Sequence, residues 1–119
     1  MIKPVSEIVA AAKAASHCLS AEDALKLYRE TENALLLDVR EPIETQSGTL
    51  EGSVNIPRGV LEMKISELCQ DPDRPLFIHC ATGGRAALSA FSLKDMGFTR
   101  IVVIDGDYAS LEKIFAKGV

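Results

Sequence analysis

Basic residues are in the minority: 13 lysines and arginines stand against 17 aspartates and glutamates, for a formal net charge of -4. That balance excludes a broad counterion-releasing grip on nucleic acid, so any anion must be met by a local arrangement of donors. No uninterrupted apolar run approaches the roughly 20 residues needed to cross a bilayer, which argues against a membrane span. The three cysteines, Cys18, Cys69 and Cys80, form no CxxC pair and have no histidine at zinc-binding spacing, so neither a disulfide scaffold nor a metal site is expected. An odd, small count suits a reducing compartment in which one thiol is reactive. Internal repeats, low-complexity tracts and linkers are missing too, with Pro and Gly scattered as single punctuation marks.

What is present is ordinary for a folded domain: 119 residues, 47 % hydrophobic and 25 % charged. One core suffices at this length. Lys3 and the small residues of the first eighteen faintly imitate a signal peptide. Glu7 and Lys13 interrupt the apolar region, however, and leave a helical pattern, so a cytoplasmic location is expected. Residues 1–16 are expected to be an amphipathic helix, with Val5, Ile8, Val9 and Ala12 on one face packing against a domain that spans 17–119.

Ser20 ahead of AEDALKLYRE has the form of an N-cap with Asp23 in the capping-box position. ALLLDV (34–39), LFIHC (76–80) and IVVID (101–105) are continuous apolar runs of the kind found in parallel strands covered on both faces. SVNI (53–56) is a short strand inside a polar stretch punctuated by Pro42, Gly48, Gly52, Pro57 and Gly59. Helices are expected over 61–69, over 84–97 with Ala87, Leu88, Phe91 and Met96 at helical spacing and Gly97 as C-cap, and from Tyr108 to Gly118. Strands alternating with helices argue for a layered α/β/α domain with a mainly parallel sheet.

The chemistry concentrates in LFIHCATGGRAALSAF, where a buried strand stops at Cys80, a loop follows and Arg85 opens a helix. Ligands of open α/β sheets bind beyond the carboxyl ends of strands, where this order puts Cys80. Gly83 and Gly84 permit positive φ, so that successive backbone N–H groups can turn inward around one point. The helix N-terminus adds positive potential there, and a thiolate is favoured over a thiol. Arg85, Arg40 and Arg58 are candidates for meeting an anionic substrate.

With these residues in place the chain resembles the rhodanese family over about residues 17–110. Cys80-Ala81-Thr82-Gly83-Gly84-Arg85 is similar to the family's active-site loop. LLLDVREPIE, GTLEGSVNIP and GFTRIVVIDGD match three further family segments in the right order. Thr49 stands in place of the usual His, Asp107 where a second Gly is frequent, and Ala86 where Ser or Thr is common. The resemblance implies a three-layer fold with a five-stranded parallel sheet in order 3-2-4-5-1. It also implies a two-step reaction without metal or organic cofactor. Cys80 attacks a sulfane-sulfur donor such as thiosulfate, and its persulfide passes the outer sulfur to cyanide or a thiol. The N–H groups of Ala81, Thr82, Gly83, Gly84 and Arg85 would steady the persulfide, by the logic of an oxyanion hole.

Asp38, Arg40 and Arg58 are supporting candidates, although an Asp and an Arg at a strand end also form structural ion pairs, and Arg58 suits a solvated surface equally well. His79 precedes Cys80 in a strand, so its side chain faces the other way and is no adjacent base. Two alternatives stay open. One is a persulfide carrier or protein-interaction module serving a protein donor or acceptor. The other is a cysteine-loop phosphatase or arsenate reductase, against which the spacing speaks: four residues separate Cys80 from Arg85, where phosphate-cleaving loops have five, leaving a smaller pocket.

Overall fold

The computed structural model describes residues 1–117; Gly118, the expected end of the last helix, lies outside the described residues, as does Val119. Five parallel strands form one sheet: β1 (His17–Ser20), β2 (Leu35–Asp38), β3 (Ser53–Asn55), β4 (Leu76–His79) and β5 (Ile101–Asp105), in the order β1-β5-β4-β2-β3. Among the described residues six helices accompany them: α1 (Val5–Ala14), α2 (Ala21–Glu30), α3 (Pro42–Thr45), α4 (Leu61–Leu68), α5 (Gly84–Met96) and α6 (Tyr108–Lys117). A 3₁₀ turn at Arg58–Val60 leads into α4. This is the α/β architecture expected, with the same strand order read from the opposite edge.

Side chains alternate across the sheet, as strand geometry requires. Leu35, Leu37, Val39, Leu76, Ile78, Cys80 and Val103 pack with Leu61 and Ile65 of α4 and with Ala86, Ala90 and Leu93 of α5. Leu36, Phe77, Val102 and Ile104 face the other way, against Ala21 and Ala24 of α2, Leu50, and Leu111 of α6. Ser20 caps α2 by accepting the Asp23 N–H at 3.3 Å. Gly97, at φ 115°, closes α5 with its N–H on the Lys94 carbonyl, while the Phe98 N–H reaches Leu93.

Three expectations need correction. β1 was not among the strands foreseen, because HCLS is short, half-exposed and runs straight into the Ser20 cap. Along α5 the covered face is Ala86, Ala87, Ser89, Ala90 and Leu93, whereas Phe91 (62 % exposed) and Met96 point outward. A helix pressed between the sheet and α1 needs small side chains at its contacts, so alanines occupy the face where larger apolar residues were expected. On α1, Ala12 is buried and Val9 half-buried, but Val5 (69 % exposed) and Ile8 stay exposed.

Candidate active site

β2 hands the chain outward to β3, whereas β4 hands it to β5 on the other side. The crevice at their carboxyl ends is therefore the topological switch point of the sheet. Cys80 stands there, one residue beyond β4, on the face covered by α5. Its Sγ accepts the backbone N–H of Gly83 at 3.0 Å and that of Ala86 at 3.3 Å. Gly83, at φ 99°, supplies the left-handed turn that aims its N–H at the sulfur. The 13-residue helix α5 begins at Gly84, so its positive end is directed at the same atom. Two donors and a helix N-terminus converging on one sulfur stabilise negative charge on it, or on an atom attached to it.

The thiol is fully covered, at 0 % exposed. Ala81 is half-buried and its carbonyl accepts the Tyr108 N–H at 2.9 Å, so the start of α6 holds the near side of the loop. Thr82 is exposed at the rim. Gly83 is buried, and a side chain there would meet Asp105 Oδ1 at 2.5 Å. The positive φ favours glycine at this position, and any side chain there would also displace the Asp105 carboxylate.

Arg85 lies at the rim and forms a two-pronged pair with Glu44, Nη1 to Oε1 at 2.6 Å and Nη2 to Oε2 at 2.9 Å. The Arg85 guanidinium holds the Glu44 carboxyl down at about 2, with help from the Glu41 N–H, which donates to the same carboxylate at 2.8 Å. Glu44 was not foreseen as part of the site. Its signal was the E-P-x-E spacing of Glu41 and Glu44, a capping box on α3 with Pro42 at the first helical position. The Ala86 N–H was missed as well, one residue past the loop expected to cradle the sulfur.

The supporting candidates separate. Arg40 clasps Asp38 through Nε, at 3.0 and 3.1 Å, and Nη2, at 2.8 Å, with both side chains buried. Arg40 also donates to the Glu44 and Gly48 carbonyls and stacks over Tyr108 at 3.8 Å. These bonds tie β2 to the segment that carries Glu44, and among the described residues Arg40 donates no hydrogen bond to the Cys80 loop. Arg58 pairs with Glu62 of α4 at 2.9 Å and donates to Ser92 of α5 at 3.1 Å, a brace between two helices.

His79 faces away from Cys80 and stacks on Tyr108, ring centroids 6.0 Å apart. Burial pushes His79 down to about 4, and although Asp38 pulls the other way, the imidazole is neutral at neutral pH. Neither ring nitrogen has a hydrogen-bond partner among the described residues. Cys18 and Cys69 are free thiols with no hydrogen bond to the loop among the described residues; burial, with Asp105 nearby, pushes the Cys18 thiol up.

A cysteine at a strand end, ringed by backbone donors at the start of the next helix, defines a class of cysteine-loop α/β domains. Within that class the chain belongs to the rhodanese-like domain family, whose model matches residues 20–113. A sulfurtransferase of Allochromatium vinosum is 26 % identical over 88 residues, 74 % of this chain and 80 % of that one. Among solved structures, the polysulfide-sulfur transferase homodimer of Wolinella succinogenes is 33 % identical with a TM-score of 0.74, over 95 % of this chain and 82 % of its own. A Rhodopseudomonas palustris protein of unknown function, described as a possible tyrosine phosphatase, superposes with a TM-score of 0.83 at 26 % identity, over 100 % of this chain and 95 % of its own.

Proposed function

We propose that the protein is a sulfurtransferase in which Cys80 carries sulfane sulfur as a persulfide. The observation that carries this reading is the convergence of the Gly83 and Ala86 N–H groups on Cys80 Sγ at the positive end of α5. In the first step the Cys80 thiolate attacks the outer sulfur of a donor such as thiosulfate. The new S–S bond forms as the donor's own S–S bond breaks, and sulfite leaves with the bonding pair. In the second step cyanide or a thiolate attacks the outer sulfur and the thiolate of Cys80 is regenerated. The persulfide anion occupies the place where the loop donors and the helix end favour negative charge, so the resting intermediate is stabilised as an oxyanion hole stabilises its oxygen. Arg85, steered by Glu44 at the rim, attracts the anionic donor.

The covered sulfur and the four-residue spacing from Cys80 to Arg85 favour one added atom over a phosphoryl group with three equatorial oxygens. That is why sulfur transfer is preferred here to the phosphatase description of the Rhodopseudomonas protein. The donor is a small sulfane-sulfur anion or a protein persulfide, and the acceptor is cyanide, a small thiol or a protein thiol.

Intact mass after thiosulfate treatment tests the reading. The wild type gains about 32 Da, one sulfur, and loses it on adding cyanide with release of thiocyanate, while Cys80→Ser gains nothing. Gain only from a protein persulfide donor makes the domain a carrier. No gain from either donor, with hydrolysis of an aryl phosphate, overturns sulfur transfer in favour of phosphoryl chemistry.

A further inference from the structure

The residues that cradle Cys80 lie inside the segment matched by the family model, but one wall of the loop comes from outside it. α1 ends before residue 20, where that match begins, and it packs along α5 beside the Cys80 loop. A side chain built on Gly84 would touch both Val9 methyls, at 3.6 and 3.7 Å, and one built on Gly83 would lie 3.5 Å from Lys13 Nζ. Lys13 Nζ in turn donates to Asp105 Oδ1 at 3.1 Å across 92 residues of sequence. The carboxylate of Asp105, at the end of β5, is thus held between an ammonium group and the α-carbon of the glycine whose N–H points at the Cys80 sulfur.

That placement matters because Asp105 has the wrong sign. An uncompensated carboxylate against the loop opposes negative charge on Cys80, whether thiolate or persulfide. Among the described residues, the charged groups nearest the site are paired with one another. Arg85 of α5 is paired with Glu44 of α3, and Asp38 with Arg40 beyond β2. His79 is kept neutral by burial, burial raises the Tyr108 phenol, and burial together with Asp105 keeps Cys18 as a thiol. Lys13 is what balances Asp105.

We propose that Lys13 and Asp105 are positioning residues for Cys80: Asp105 seats Gly83 in its left-handed turn, and Lys13, supplied by the N-terminal helix, cancels the carboxylate's charge so that the loop keeps an anionic sulfur. The proposal rests on the reading of Cys80 as the sulfur carrier. It makes α1 part of the working site rather than an appendage.

Charge cancellation predicts shifts of opposite sign, which a merely structural role does not. The readout is the far-ultraviolet thiolate absorbance of Cys80 against pH at low ionic strength. It is taken as the difference between each protein and the same protein carrying Cys80→Ser, which removes Cys18 and Cys69 and needs no reagent to reach the covered sulfur. Lys13→Met moves the Cys80 transition to higher pH by about half a unit or more, Asp105→Asn moves it to lower pH, and the double variant returns close to the wild type. Lys13→Arg keeps the wild-type profile, and added salt shrinks the Lys13→Met shift because the pair is partly exposed. No shift in Lys13→Met, or shifts of the same sign in both single variants, overturns the proposal. The mass gain is followed in parallel with both thiosulfate and a protein persulfide donor: a wild type that takes up sulfur from neither refutes the reading of Cys80 as the sulfur carrier and leaves the titration result standing by itself.

Discussion

His79 shows how one buried side chain can govern acid stability without touching the chemistry. Its neighbours of known charge are Asp38 and Arg40, and its ring lies on Tyr108 with both nitrogens unpaired among the described residues. In the unfolded chain it takes up a proton near its ordinary value of 6.5, whereas in the fold it resists until about 4. Between those values the unfolded state binds more protons, so stability present above about 6.5 is lost as the pH falls toward about 4. Glu44 behaves as a depressed carboxylate, and its contribution persists above 4.5 and fades as the pH falls toward about 2. Urea midpoints measured from neutral pH downward should therefore fall in two stages for the wild type. His79→Phe should lose the first stage and keep the second. A variant that still declines through the first window would show that another group titrates there.

Elements set how these residues meet. α3 has just four residues, yet it carries Glu44 to the rim because Pro42 starts it, the Glu41–Glu44 capping box closes its first turn, and Arg40 binds its carbonyl end. The pair it makes with Arg85 is about one-third exposed on each side, so Glu44→Gln should change stability by less than about 1 kcal/mol. Its effect belongs to the rim. Without the carboxylate fork Arg85 is free to turn into solvent, and the rate of persulfide loading from thiosulfate should drop severalfold at nearly constant Tm. A large fall in Tm with an unchanged loading rate would make Glu44 a structural strut and nothing more. The helical and strand patterns over 21–30, 35–38, 76–79 and 101–105 were legible because period and caps agreed. β1 was not, because four residues with a mixed exposure pattern carry too little periodicity to be seen. The outward turn of Phe91 was hidden for a different reason: helical spacing says which residues share a face, but the partner pressed against that face selects small or large ones.

At the scale of the whole molecule the sheet is the frame that converts sequence order into a site. Ile78 is completely buried in β4, between β2 and β5, whereas Val54 is half-buried in the edge strand β3. Ile78→Ala should cost roughly 2–5 kcal/mol, as large-to-small changes in a close-packed core do, and Val54→Ala distinctly less. Both losses should be seen by fluorescence and circular dichroism at a common denaturant midpoint, as one cooperative unit requires. Separate midpoints would mean that the edge strand unfolds by itself.

By itself the sequence determined the alternation of strand and helix, the strand-end position of Cys80, the glycines after it and the opposite orientation of His79, because these depend on local period and neighbour chemistry. Tertiary structure decided the rest. Glu44 reaches Arg85 across 41 residues, and Lys13 reaches Asp105 across 92. Arg58 braces two helices, and Arg40 locks onto Asp38 and Tyr108. Charge pairs of this kind have no local signature: a carboxylate finds its cation through the strand order and helix packing that bring distant segments within a few ångströms, and those distances exist only once the core has closed.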